Sequence, residues 1–546
     1  MSSSGTIEQG SHDATPARDR WAPAVPGGWG GVAAFAFTAA AVGLLAYDKG
    51  GYYYGAWPGG YLGVWRTAIA LSGLAAIAVL AGTRGQLRVS RSAVVALGAM
   101  ALLWAWTAVS YLWSDDRAST ATDIRFLLVY VAALGALILV AAGGRAVPVA
   151  LGTLAGITAV ASYAIATRLY PGVFGMFTSG SEFGRLYQPI GYWNALGAYA
   201  GIGVVLALGF MARGAMLVRM LAAVALMPLA ATIYLTFSRG AVISLGVALV
   251  VLVAVDRRRV QLIAAVAAGS VGAIGTILAI HGHSALTAFH RQFGPQKAQG
   301  EAVAARLVAL APLAMGGAAL FAGLEARIQV PRRVRMLAGA GIVLVACLAL
   351  AVGIHRYGNP VTTVRDAVST INNPAPTFPG GDLNLRFASL SLNGRALFWK
   401  AAWHEFTANP LIGSGGATFH HYWMRHRPVN VLVYNSHSLE LETMAELGVI
   451  GLAIVLPAIL APIWAGVRRR AHPLAAAVTA AYVGYMVESS GDWTWQLPGA
   501  TIAALACAAV VVNLGDDRRA FVLSERWKLA GAVVAGVVAV AGAWAG

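Results

Sequence analysis

Apolar runs close to the thickness of a bilayer recur along almost the whole chain, and they restrict its fold more than any other feature. A helix needs roughly 20 mostly apolar residues to cross the hydrocarbon core, where lipid offers no partner to a free backbone amide or carbonyl. Runs of this kind lie at 30–47, 62–82, 93–113, 126–142, 147–167, 190–211, 216–237 and 240–255. Others follow at 260–280, 303–324, 336–354, 438–467, 473–489, 496–514 and 529–545. Composition agrees, since 58% hydrophobic and 11% charged residues cannot cover a soluble surface of 546 residues. The expected fold is all-α, a polytopic membrane helical bundle of about 12–15 transmembrane helices.

The turns between these runs orient the bundle, because short cytoplasmic loops hold the excess of Lys and Arg. Basic residues crowd every second turn, among them Arg84, Arg88 and Arg91, then Arg213 and Arg219, Arg257 to Arg259, Arg332, Arg333 and Arg335, Arg468 to Arg470, and Arg518 and Arg519. The opposite turns carry Asp115, Asp116, Asp123, Glu182 and Asp492 beside Tyr52, Tyr53, Tyr54 and Trp57. This pattern places the N-terminus in the cytoplasm. Residues 1–28 read as a disordered cytoplasmic tail, 29–354 as an N-terminal transmembrane bundle, 355–436 as a long extracytoplasmic loop containing short helices, and 437–546 as C-terminal transmembrane helices.

The tail lacks the apolar core of a cleavable signal, so the first span is expected to act as an uncleaved anchor. The Ala, Gly, Val and Arg bias suggests a GC-rich bacterial gene, and with the many spans the expected location is a bacterial cytoplasmic membrane, multi-pass. The net charge of +17 is then largely a topology signal, and a nucleic-acid partner is not expected. In the loop 355–436, however, seven Lys or Arg face three Asp or Glu, and the positive-inside rule does not account for them. Cys347 and Cys507 both fall inside apolar runs and offer no disulfide framework.

Charge beside hydrocarbon is costly unless it is satisfied or functional, and three positions on the outer side stand out. Arg239, in TFSRGAVISLG, sits where two spans meet with almost no loop, either snorkelling to headgroups or facing an anion. Arg395 opens LNGRALFWKAAWHEF, where Arg395, Trp399, Trp403 and Phe406 share one helix face. The GSGG that follows is either a phosphate cradle of backbone amides or an ordinary turn. His437 stands at the head of a long apolar helix, and a spacing of three puts Glu440 on its face, where a carboxylate can orient an imidazole for general-base work. His404, His420, His421, His426 and His437 lack the spacing of a zinc helix, so no metal site and no cofactor are expected. Further substrate-contacting candidates at the same side are Arg185, Tyr192, Asn194 and Asp492, although aromatic belts explain many such Tyr and Trp residues.

Arginine forks suit a lipid-linked diphosphate, and in their order these motifs resemble the O-antigen ligase and polymerase superfamily of polytopic glycosyltransferases. The resemblance rests on GRLYQPIGYWNALGAY from Gly184, on Ser238-Arg239-Gly240, on Gly394-Arg395 with Trp399, and on NPLIGSG before His437 and Leu441-Glu442 with Glu446-Leu447-Gly448. It covers roughly residues 185 to 465 and departs from the family where Ser438, not Asn, follows the histidine. It implies an inverting, metal-independent transfer of glycan from a polyprenyl-diphosphate carrier to a glycan or lipid acceptor on the outer face. Arg239 and Arg395 would contact the diphosphate and His437 would act as base. Membrane lipids and other envelope-assembly proteins are the partners it implies.

Two other classes compete. A transporter of an anionic solute would use many spans and basic outer residues, but such folds usually show internal repeats, and none is evident. A noncatalytic component of envelope assembly would not need Arg239, Arg395 and His437.

Overall fold

The computed structural model describes residues 28–51, 60–83, 86–174, 184–327, 381–388, 392–515 and 520–544. Each apolar run coincides with a helix except 336–354, which lies outside the described residues. So do the tail 1–27, Tyr52 to Tyr54, Trp57, Glu182, Cys347, 355–380 and the loop arginines Arg84, Arg332, Arg333, Arg335, Arg518 and Arg519.

In chain order the first helices are α1 (Gly28–Tyr47), α2 (Gly60–Gly82), α3 (Arg91–Ser110), α4 (Arg117–Ala141) and α5 (Ala146–Leu169). There follow α6 (Trp193–Arg213), α7 (Met216–Thr236), α8 (Arg239–Val255), α9 (Arg259–His281) and α10 (Phe293–Arg327). Two short helices, α11 (Arg395–Ala408) and α12 (Phe419–His426), belong to the long loop. The chain closes with α13 (Leu439–Arg468), α14 (Ala475–Gly491), α15 (Pro498–Asn513) and α16 (Glu525–Trp544). Among the described residues 10 helices are long and apolar enough to cross a membrane, and α8 and α15 are shorter apolar helices. This is a multi-pass helical membrane protein. A short antiparallel ribbon, β1 (Leu87–Val89) with β2 (Phe521–Leu523), ties the α2–α3 turn to the α15–α16 turn.

Lipid gives helices no hydrophobic reason to associate, so close packing through small residues has to do it. The helix pair α1 and α5 illustrates this, with Gly152 and Gly156 of α5 four residues apart. A Cβ at Gly156 would stand 2.7 Å from the Ala39 carbonyl oxygen, and one at Gly152 would stand 2.5 Å from that of Phe35. Either methyl group would push the two backbones apart.

Helix α13 is the one that places the loop. It is interrupted at Gly448, whose φ of 69° and ψ of −171° are open only to glycine. The backbone groups freed there are taken up by the segment after α11: Val449 N–H donates to Pro410 O at 2.9 Å, and Gly415 N–H donates to Glu446 O at 2.8 Å. A Cβ at Gly413 would run into the Glu446 backbone, which explains the glycines on both sides of this contact. The long loop is therefore pinned into the side of the bundle.

Because successive spans alternate in direction, the starts of α6, α8 and α13 and the α14–α15 turn all fall at one end. The turns carrying Arg213, Arg219, Arg257, Arg258 and Arg470 meet at the other.

Candidate active site

Asp492, the residue that ends α14, is the centre of a polar cluster drawn from four parts of the chain. It is 3% exposed and pairs with Arg395, at the first turn of α11, at 2.7 Å. Its carboxylate also accepts from Tyr192 Oη at 2.9 Å, from the Trp493 backbone amide at 2.8 Å, and from Asn194 Nδ2. Burial opposes ionisation of Asp492, yet Arg395 beside it holds the carboxyl below its ordinary range. Tyr192 stacks on Trp493 with ring centroids 4.3 Å apart.

Arg185 enters the same cluster from the loop before α6. It donates to Asn194 Oδ1 at 2.8 Å and to Thr236 O at 2.6 Å, and its guanidinium lies 4.5 Å over the Trp193 ring. Burial and the neighbouring Arg386 push it well below the usual arginine range. Arg239 opens α8 behind Ser238, whose hydroxyl caps the helix at Ala241 N. Arg386 lies in a 3₁₀ turn, Leu383–Ala388, docked by Tyr234 Oη on Asn384 Oδ1 at 2.5 Å. Arg185, Arg239, Arg386 and Arg395 lie near enough to repel one another. Four mutually repelling guanidiniums beside the carboxylates of Asp492 and Glu488 are chemically suited to a multiply charged anion.

His437 adjoins them with a left-handed backbone, φ 60°, which histidine tolerates better than most residues. Its Nδ1 lies 3.2 Å from Asn435 O. A carbonyl can only accept, so Nδ1 carries the proton and Nε2 keeps the lone pair. Burial, reinforced by Arg395 and opposed by Asp492, lowers its pKa to about 4. The ring is therefore neutral at ordinary pH and its Nε2 is a proton acceptor.

The family model described as O-Antigen ligase matches residues 302–456, which include Arg386, Arg395 and His437. The chain is similar to the O-antigen ligase superfamily. Comparison with curated proteins returned no match. The similarity supports an O-antigen ligase- or polymerase-like function in general, acting on a lipid-linked glycan.

The sequence-predicted residues Arg185, Tyr192, Asn194, Arg239, Arg395, His437 and Asp492 thus come together, while two expectations need correction and one open alternative is decided. Glu440 does not orient the imidazole. It accepts from Ser490 Oγ at 2.8 Å and from Ser438 Oγ at 3.4 Å, because His437 stands outside α13 and helical spacing does not apply to it. The residues just before His437 are held instead by Glu442, which accepts from Ser436 N at 2.6 Å and from Gln496 Nε2 at 2.7 Å, while Asn435 Nδ2 donates to Gln496 Oε1.

The GSGG turn is no phosphate cradle. Gly416 N donates to Ser110 Oγ, Ala417 N to Glu446 Oε2 and Ser414 N to Ala445 O, so those amides are already satisfied. The aromatic stripe of α11 also splits. The face packed inward is Phe398, Ala402 and Glu405, whereas Trp403 is 49% exposed; Trp399 reaches the site by donating Nε1–H to His437 O at 3.4 Å.

Two residues escaped sequence reasoning. Arg386 sits in a stretch without periodicity or motif. Glu488, one turn before Asp492, lies against the first turn of α8, and one of its carboxylate oxygens has no hydrogen-bond partner among the described residues. A lone carboxylate at the end of an apolar run was the available signal. Among the described residues no group of three or more His, Cys, Asp or Glu is arranged to hold a metal ion.

Glu405 gives a pH test of the loop's docking. Burial pushes its pKa up to about 7, against hydrogen bonds from Ser414 and Thr418 that favour the anion. A raised carboxyl pKa means that the folded state holds a proton the unfolded chain releases, so its contribution is present below the unfolded pKa and lost as pH rises through 7. Glu405→Gln is expected to match the wild type in thermal unfolding at pH 5 and to be the more stable at pH 8. Equal pH dependence of the two proteins would count against a protonated Glu405.

Proposed function

We propose that this protein moves a glycan from a polyprenyl-diphosphate carrier to an acceptor hydroxyl on the outer face of a bacterial cytoplasmic membrane, as an O-antigen ligase or polymerase. The observation that carries this reading is the gathering of Arg185, Arg239, Arg386 and Arg395 within electrostatic reach of one another, with Asp492 paired to Arg395 and His437 beside that pair. The starts of α6, α8 and α11 add their positive dipole ends to the same place.

The chemistry follows from the charges. The diphosphate is the leaving group, and as the bond between the sugar's anomeric carbon and the phosphate oxygen breaks, its electron pair stays on the diphosphate. Arginines aimed at that growing charge stabilise the transition state more than the ground state. The acceptor oxygen forms the new bond from the opposite side, inverting the anomeric centre, and its proton passes to His437 Nε2. Asp492 stabilises the resulting imidazolium, as its electrostatic pull on His437 indicates. Tyr192, Trp399 and Asn194 line the approach. The guanidiniums take the charge-neutralising role a divalent cation would have, so the reading expects transfer in EDTA.

The test is glycan transfer in proteoliposomes loaded with extracted lipid-linked donor, with EDTA present, for the wild type and for Arg386→Gln. Wild-type transfer should persist in EDTA, and Arg386→Gln should lose about 10²- to 10³-fold in rate. Transfer that stops in EDTA removes the metal-independent mechanism, and an unaffected Arg386→Gln removes Arg386 from the diphosphate site.

A further inference from the structure

The end of the bundle opposite His437 holds a second polar site. A cavity of about 690 Å³ opens between the α6–α7, α8–α9 and α13–α14 turns and the end of α10, a volume within the range of small-ligand pockets. Both acids in its wall are engaged: Asp256 pairs with Arg213 at 2.6 Å and Glu325 with Arg219 at 2.6 Å. Asp256 also accepts from the Arg258 backbone amide at 2.6 Å, which shapes the turn. Arg257, Arg258 and Arg470 then add three guanidiniums, and no third acid lines the cavity among the described residues. Arg213 Nε–H is buried with no hydrogen-bond partner among those residues.

Apolar side chains continue from this rim along the bundle's outer surface. On α7, Leu217 and Leu221 are 63% and 55% exposed on either side of Arg219, and on α10 Leu320 and Leu324 are 65% and 45% exposed beside Glu325. A ligand that places a phosphate among the arginines and hydrocarbon on these leucines is a phospholipid. Basic pockets between transmembrane helices bind such headgroups.

We propose that this cavity holds the headgroup of an anionic membrane phospholipid, with its acyl chains on the exposed faces of α7 and α10. Arginines that serve only to set topology would be solvated one by one and would retain no lipid. The cavity instead collects the arginines of three separate turns at a single point.

The full-length protein in detergent, mixed in turn with cardiolipin, phosphatidylglycerol, phosphatidylcholine or inorganic phosphate, can be read by native mass spectrometry. The wild type should retain one anionic lipid and little phosphatidylcholine. Arg257→Gln with Arg470→Gln, both exposed changes, should weaken retention about thirtyfold. Arg88→Gln with Arg91→Gln, at another turn of the same end, should leave it unchanged. Equal retention of phosphatidylcholine, equal loss in both double variants, or no loss in either overturns the site. Inorganic phosphate that competes as well as the lipids overturns the lipid assignment in favour of a free anion.

Discussion

His437→Asn is expected to slow glycan transfer by about 10²- to 10⁴-fold with little change in donor affinity or thermal stability. Asparagine is the informative replacement because position 437 has φ 60°, where alanine would add backbone strain to the loss of the ring. The wild-type rate should depend on pH in an unusual way. With its pKa lowered to about 4, His437 keeps the base form well below the pH at which an ordinary histidine charges, so the rate should fall only as the medium approaches that value. A rate that halves near pH 6.5 would show that the base is a solvated histidine or another group. An unimpaired His437→Asn would remove the general base from the mechanism altogether.

Arg395→Gln should be nearly as damaging, for a different reason. Its side chain is 17% exposed and pairs with a carboxylate 3% exposed, so removing the guanidinium leaves Asp492 buried without its counter-charge. Losing one partner of such a pair costs about 3–5 kcal/mol, and loss of a donor aimed at the leaving group costs about 10²–10³ in rate. These effects separate in the double variant Arg395→Gln with Asp492→Asn, which removes both charges. Thermal unfolding in detergent should recover in the double variant, while transfer in proteoliposomes should not. Recovery of transfer along with stability would make Arg395 a structural residue.

Hydrophobic length was legible in the sequence because lipid imposes it directly: each run from 30–47 to 529–545 that falls among the described residues is a helix. The grouping of Arg185, Arg239, Arg395, His437 and Asp492 was legible because alternation of spans sends all five to one end. What could not be read was contact. Glu440 looked like the partner of His437 under a helical rule, and only the left-handed backbone at 437 shows that the rule does not reach it. The inward face of α11 is set by what α12 and α13 present, with Phe398 against Trp423 and His437, and the repeat of Trp399 and Trp403 carried no information about that. Arg386 became visible only through the docking of its turn on Tyr234.

The polar cluster draws on chain segments that the family match does not span. Arg185, Asn194 and Arg239 precede residues 302–456, and Asp492 follows them. A copy reduced to that stretch would keep the histidine and two arginines while losing their anchoring acid. Chimeras between relatives would inherit the same mismatch whenever a crossover exchanges the middle of the chain and leaves its flanks behind. The whole cluster could be transplanted only by moving both flanks together with the loop.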